Sequence, residues 1–228
     1  MLDTFLDCLI FFGAGLVIAA SLIGLVRYRR LAPSLRWLAL LAGFDATMEL
    51  TLLVLSRILG FRNNLFMWPI MLTGEIMLQT LLYRQVLQSA AFNRVVPWLL
   101  GLFCFYALLN SSIVSTVTTN SVGLEIVSNL IQIGLAGLYF QKLLNELRVT
   151  HLRRDPFFWF SVALAVYGLG NILIYLFSNY LLTHYSVQLQ KIVMWGVRNV
   201  FNIQLYLAYI LVLWARPVPA NAGDTRLA

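Results

Sequence analysis

Four ionisable side chains fall inside stretches otherwise fit for lipid: Asp45, Glu49, Glu75 and Arg198. Asp45 and Glu49 stand one helical turn apart in GFDATMELTLLVLS. Left charged at a bilayer centre, each would cost about 2.5–3.5 kcal/mol. Each therefore requires a partner, a cavity or a proton. Residues at i and i+4 share a helix face, which gives four polar stripes: Asp45/Glu49, Glu75/Gln79, Tyr167/Asn171/Tyr175 and Arg198/Asn202. Arginine does not deprotonate, so Arg198 is expected to pair with a carboxylate, Glu75 or Asp45 being favoured. Three carboxylates against one guanidinium then leave two negative charges for protons, water or a cationic ligand to match. The chemistry this pattern supports is binding, or the handling of a proton or cation.

The segments that carry these groups are membrane segments by composition. The chain has 228 residues, 61% of them hydrophobic and only 11% charged, with a mean hydropathy of +0.82. Soluble domains run nearer half apolar and a quarter charged. A span needs about 20 mainly apolar residues, and charged, proline-bearing and polar punctuation marks out seven: 5–26, 36–58, 66–87, 96–115, 123–146, 156–180 and 190–214. The expected fold is all-α, a polytopic seven-transmembrane-helix bundle over 1–215, followed by a short disordered cytoplasmic tail, 216–228. Asp3 and Asp7 precede the first apolar run and its arginines follow, the reverse of a signal peptide, so it is read as a retained span.

Basic residues set the orientation. With the N-terminus outside, twelve face the cytoplasm: Arg27, Arg29, Arg30, Arg36, Arg84, Arg94, Lys142, Arg148, Arg153, Arg154, Arg216 and Arg226. Three face outward, Arg57, Arg62 and Lys191. The expectation is N-terminus outside and C-terminus cytoplasmic. Counting about 1.5 Å per residue from the span ends puts all four stripes in the central band, where they would line one polar cavity. Asn129 and Gln132 lie nearer the outer leaflet and Glu125 at the outer end of span five. Spans one and four carry few such groups and are placed at the lipid-facing periphery. The small-residue pattern of Gly15 and Ala19 would allow close helix approach.

The candidate ligand-binding residues are thus Asp45, Glu49, Glu75, Gln79, Tyr167, Asn171, Arg198 and Asn202. Arg198 would anchor the site, Glu75 and Asp45 would position or balance the ligand, and Asn171 and Asn202 would orient it. The competing reading is that buried ion pairs and amides merely hold helices together, at roughly 0.6 kcal/mol each. Aromatics near span ends, including Trp68, Trp98, Tyr180 and Trp214, suit interfacial belts.

Several chemistries are disfavoured. A retinal Schiff base needs a lysine deep in the last helix, and Lys191 lies near the mouth of span seven. Membrane haem needs axial histidines, whereas His151 and His184 fall in loops on opposite sides. No zinc-ligand spacing occurs, Cys8 and Cys104 sit in apolar segments, and no nucleophile–base spacing stands out. No catalytic residue, cofactor or metal is assigned, and nothing points to nucleic acid, because the basic residues punctuate apolar runs.

Three stretches, FRNNLFMWPIMLTGEIMLQTLLYRQVL, DPFFWFSVALAVYGLGNILIYLFSNYL and MWGVRNVFNIQLYLAYILVLW, carry Asn63-Asn64-Leu65 with Glu75, Pro156-Phe157-Phe158-Trp159 with Gly170-Asn171 and Ser178-Asn179, and Asn199 with Asn202. In these the chain resembles an uncharacterised family of small bacterial seven-span proteins, common in the Bacteroidetes and often encoded beside sensor histidine kinases. Family members often carry a histidine ahead of the glutamate, where this chain has Pro69. The resemblance implies a receptor-like sensor with a histidine kinase partner. The expected function is therefore a seven-transmembrane sensor that binds a small molecule, one bearing a cationic group, in the lipid bilayer and relays to a separate partner. A proton- or cation-coupled small-molecule transporter is the alternative, and an intramembrane carboxylate-dependent enzyme the third reading.

Overall fold

The computed structural model describes residues 2–60, 67–113, 122–146 and 155–215. The Asn63-Asn64-Leu65 motif, Arg62, the basic segment 148–154 with His151, and the tail 216–228 lie outside the described residues. Among the described residues there is no strand. Seven helices follow in order: α1 Leu2–Arg27, α2 Pro33–Leu53, α3 Met67–Leu87, α4 Ala90–Ile113, α5 Val122–Asn145, α6 Pro156–His184 and α7 Val187–Trp214. Two carry π-helical stretches: α2 continues as one over Val54–Ile58, and α7 contains one at Ile192–Val197.

Six of the seven are long and apolar enough to cross a membrane. The exception is α3, diluted by Glu75, Gln79, Arg84 and Gln85. Its polarity fits its neighbours, since it packs against α2, α4 and α5 and buries Glu75, Gln79 and Thr80. Large apolar side chains cover the outside instead, as Phe5, Phe12, Leu25, Leu102, Leu108 and Leu211 are all exposed. A chain whose polar groups point inward and whose apolar ones point outward is built for lipid.

Six helices close a ring in the order α1, α2, α3, α5, α6, α7 and back to α1. α4 stands outside it, against α3 and α5, as expected of a peripheral helix. α1 belongs to the ring, a correction to its peripheral placement. Its inward face, Gly13, Val17, Ala20 and Gly24, packs between α2 and α7. Gly15 meets no atom within 4 Å of where a Cβ would sit, so the Gly15/Ala19 pattern is not the close-approach face. Gly24 is, with a built Cβ 2.9 Å from that of Ala39, because Gly24 shares a face with Gly13, Val17 and Ala20 at helical spacing. α4 begins at Ala90 rather than at residue 96. Ser89 starts it by accepting from the Phe92 N–H at 3.5 Å, and Pro97 is carried inside the helix.

The two ends are fastened differently. At one, Asp3 and Asp7 of α1 pair with Lys191 of α7 (3.0 Å) and Arg57 of α2. At the other, basic side chains donate to carbonyls at helix C-termini: Arg27 to Leu213 O and Trp214 O (2.7 and 2.6 Å), and Lys142 to Val86 O (2.7 Å). Cations there satisfy orphan carbonyls and oppose the helix dipole. Asp155 caps α6, accepting from the Phe157 N–H at 2.9 Å and from the Tyr139 hydroxyl at 2.6 Å.

Two glycine–aromatic contacts set the register of the middle. The Phe44 ring of α2 fills the space over Gly74 of α3, with Cζ 2.1 Å from where a Cβ would stand. The Phe201 ring of α7 does the same over Gly170 of α6, at 2.3 Å. Asp45 and Glu75 are the next residues after one such pair, Asn171 and Asn202 after the other. Gly74→Ala is expected to destabilise the protein by about 1–3 kcal/mol, the scale of core overpacking. Phe44→Leu added to it should recover much of that loss. Melting of the detergent-solubilised single and double variants measures both, and an unchanged midpoint for Gly74→Ala would remove the register argument.

Candidate functional site

The polar residues of the interior form a column with three levels. Nearest the N-terminal end, Arg198 lies at the first turn after the π stretch of α7, and Glu125 on the first turn of α5. Arg198 Nη2 stands 3.5 Å from Glu125 Oε1, with Glu125 buried and Arg198 largely so. The guanidinium sits over the Trp68 ring at 4.3 Å and near the Tyr175 ring at 5.7 Å, and the Trp68 indole N–H donates to the same Glu125 oxygen. Two π faces and one carboxylate thus enclose one cation, the arrangement in which cation–π attraction is strongest once water is excluded.

This corrects the pairing expected from the sequence: Glu125, not Glu75 or Asp45, holds Arg198. Helical side chains lean toward their helix N-terminus, and α5 and α7 both start at this end. The long Arg198 side chain therefore reaches up to Glu125. Glu125 lies at the end of its span, as the sequence suggests, but it is 3% exposed, a site residue that counting depth alone passed over. Trp68 likewise belongs to this site rather than to an interfacial belt.

The middle level holds Asp45 and Glu49 of α2, Glu75 and Gln79 of α3, Gln132 of α5, Tyr167 and Asn171 of α6, and Tyr206 and Tyr209 of α7. Tyr209 donates to Asp45 Oδ2 at 3.1 Å and Tyr206 to Glu49 Oε1 at 3.3 Å. Asp45, Glu75, Gln79, Gln132 and Asn171 are each buried, at 6% exposure or less, and Tyr167 at 9%. Glu49 and Asn202 are half-buried. Asp45, Glu49, Glu125 and Arg198 all act electrostatically on Glu75; Glu75, Glu125, Arg198 and Tyr175 act on Tyr167. The fold therefore brings Asp45, Glu49, Glu75, Tyr167 and Arg198 together, with Glu125, Trp68, Tyr206 and Tyr209 beside them; Gln79, Gln132 and Asn171 are buried on ring helices. Tyr206 was signalled by its spacing, since Arg198, Asn202 and Tyr206 fall at i, i+4 and i+8, with Tyr209 three residues on.

Several buried oxygens have no hydrogen-bond partner among the described residues: Asp45 Oδ1, Gln79 Oε1, Thr80 Oγ1, Gln132 Oε1, Asn171 Oδ1 and Gln204 Oε1. They come from α2, α3, α5, α6 and α7, every ring helix but α1. Buried polar atoms are normally paired, and these are oxygen acceptors, five of them carbonyl or carboxylate. The group they lack is a donor. Amide nitrogens nearby turn to their own helices, Asn171 to Tyr167 O (3.0 Å), Asn129 to Glu125 O (2.7 Å) and Asn199 to Trp195 O (2.8 Å). Among the described residues no group of three or more His, Cys, Asp or Glu has metal-holding geometry.

Below this level, Phe160 lies against both Tyr209 (5.8 Å) and Tyr83 (6.0 Å). Past it, Tyr83 and Ser161 share a hydrogen bond of 2.8 Å, and Tyr139 reaches Asp155. His184, expected in a loop, is the last residue of α6, stacked on Tyr180 at 4.5 Å and bonded to Thr183 at 2.6 Å. It lies outside the column.

The distribution of charge predicts unequal structural roles for the carboxylates. Glu125→Gln leaves the enclosed guanidinium without its anion and is expected to destabilise the protein by about 3–5 kcal/mol. Glu49→Gln removes one of the surplus carboxylates and is expected to change stability by no more than about 1 kcal/mol. Unfolding of both variants in detergent tests the contrast, and equal losses would refute the assignment of Glu125 as the partner of Arg198. No family model, curated protein or solved structure matches this chain; the described residues form a helical bundle with six helices long and apolar enough to cross a membrane and with polar residues buried inside it.

Proposed function

We propose that the protein is a receptor-like membrane protein that binds a small molecule bearing a cationic, hydrogen-bond-donating group in its polar interior. One observation carries the reading. Glu49, Glu75 and Glu125 lie around one guanidinium, with Asp45 beside Glu49 and Glu75, and the unpaired buried oxygens of Asp45, Gln79, Gln132 and Asn171 are acceptors. An ammonium or amidinium group supplies both the missing charge and the missing donors. Arg198 is held by Glu125, so the ligand faces Asp45, Glu75 and the amides of Gln79, Gln132 and Asn171, with Tyr167 as a wall.

The membrane arrangement in this proposal has seven spans, α3 included, with the N-terminus outside and the C-terminus in the cytoplasm of a bacterial inner membrane. The ring position of α3 and its 21-residue length support the count, and the basic end formed by Arg27, Arg36, Arg84, Arg94 and Lys142 supports the orientation. The chain would act through a separate partner, a histidine kinase by the resemblance stated above.

A cation- or proton-coupled transporter is the second reading, favoured by the π stretches at Val54–Ile58 and Ile192–Val197. Such irregularities occur frequently at functional sites and give α2 and α7 places to change register.

Protein purified in detergent is expected to carry a small molecule with a basic nitrogen, identified by mass spectrometry of the extract. Asp45→Asn and Glu75→Gln, which keep shape and spare the Arg198 pair, should lose it while melting close to the parent. A parent that carries nothing, and gains no thermal stability from a panel of organic cations, would reduce the column to helix packing. Uptake into vesicles driven by an imposed Na⁺ or pH gradient, abolished by Glu75→Gln, would select the transporter instead.

A further inference from the structure

We infer that a second site, at the opposite end of the bundle from the Arg198 box, binds the phosphate of an anionic membrane phospholipid. A cleft of about 370 Å³ opens there, lined by Trp37 of α2, Leu81, Arg84 and Gln85 of α3, Gln88 of the turn after it, and Asn93 of α4. Its volume falls within the range of small-ligand sites, roughly 300–1,000 Å³. The cleft exists because of that turn. Gln88 adopts φ +50° and its N–H closes on Arg84 O at 3.3 Å, so α3 stops abruptly and α4 starts beside it. A left-handed residue after a helix is the ordinary way to end one, though glycine usually takes the position.

The lining has the composition of an anion site. Arg84 brings a guanidinium whose planar fork matches phosphate, while the amides of Gln85, Gln88 and Asn93 and the indole N–H of Trp37 add neutral donors. No carboxylate lines the cleft. Of the other cations of this end, Arg27 and Lys142 donate to the carbonyls of neighbouring helices and Arg36 to Leu31 O, and Arg29, Arg30 and Arg94 are exposed outside the cleft; Arg84, also exposed, is the cation that lines it.

A lipid, rather than a dissolved anion, follows from position. The cleft sits at the ends of three helices, where headgroups meet a spanning bundle, on the end richest in Arg and Lys. Basic pockets between helix ends on that side of a membrane hold anionic headgroups. Beyond the cleft α4 leaves Trp98, Leu102 and Phe105 exposed, an apolar wall for acyl chains, and Leu81 and the Trp37 ring supply the junction between the two. The inference depends on the membrane setting and not on the ligand of the central column.

The test places the full chain in bilayer discs of neutral phosphatidylcholine, with and without phosphatidylglycerol, and measures lipid retained after extraction by native mass spectrometry. The parent is expected to retain phosphatidylglycerol in preference to phosphatidylcholine. Arg84→Gln should reduce that preference about fivefold, the contribution of one cation near an anionic surface. Arg94→Gln, an equally exposed charge change at the same end but outside the cleft, should leave it unchanged. Equal loss in both variants, or no preference in the parent, would overturn the site in favour of diffuse attraction. Inorganic phosphate that raises the melting point of the parent in phosphatidylcholine discs, saturably and not in Arg84→Gln, would overturn the lipid as its source. Unaltered melting of both variants in neutral discs shows that neither has simply failed to fold.

Discussion

Arg198 is a charge that the protein cannot titrate away, set in a helix surrounded by apolar surface. Everything nearest to it answers that constraint. Glu125 supplies the counter-charge, Trp68 and Tyr175 supply π faces, and the Trp68 indole donates to the carboxylate that holds the guanidinium. These partners arrive on α3, α5, α6 and α7, so one side chain requires four helices to converge at one level. α1 and α4 contribute nothing to it. α1 instead closes the ring between α2 and α7, and α4 stands outside against α3 and α5. The least apolar helix, α3, can be polar because helices pack against it on three sides.

With Arg198 satisfied by Glu125, the carboxylates deeper in the column are released from any structural obligation to it. Asp45 and Glu49 each receive one tyrosine hydroxyl, which satisfies one oxygen of each. That separation gives the column two chemical characters. The upper level is a closed cation–π and ion-pair lock, while the middle level is rich in acceptors and poor in donors. A structural network would be expected to pair its atoms internally. The middle level leaves four oxygens on four helices, those of Asp45, Gln79, Gln132 and Asn171, without a partner among the described residues.

The middle is held between ends of different construction. Ion pairs between α1 and its neighbours fasten one end, beside both π stretches, and cation-to-carbonyl caps fasten the other. Between them, the Phe44–Gly74 and Phe201–Gly170 contacts fix the axial register of adjacent helices. A shift of one residue in either pair would drive an aromatic ring against a side chain and move Asp45 away from the level of Glu75. Small residues thus set the polar site through the aromatic rings that fill them.

Hydropathy and spacing by themselves determined that the chain is helical and apolar enough for a membrane, and that Asp45, Glu75, Gln79 and Asn171 point inward, because period 3.6 and the cost of charge in hydrocarbon are local facts. They could not determine which carboxylate Arg198 meets. Depth counted along a helix axis places a backbone, whereas a long side chain leaning toward its helix N-terminus reaches a turn or more beyond it. Glu125 and Trp68 are span-end residues, and only the reach of Arg198 toward them makes them part of the polar interior. The register of neighbouring helices was equally out of reach, since Gly74 and Gly170 reveal their purpose only when Phe44 and Phe201 are seen to lie on them. The ring order, the place of α1 within it and the cleft beside Gln88 are properties of helices meeting, and only the tertiary structure, where surfaces distant in sequence compete for the same contacts, decided them.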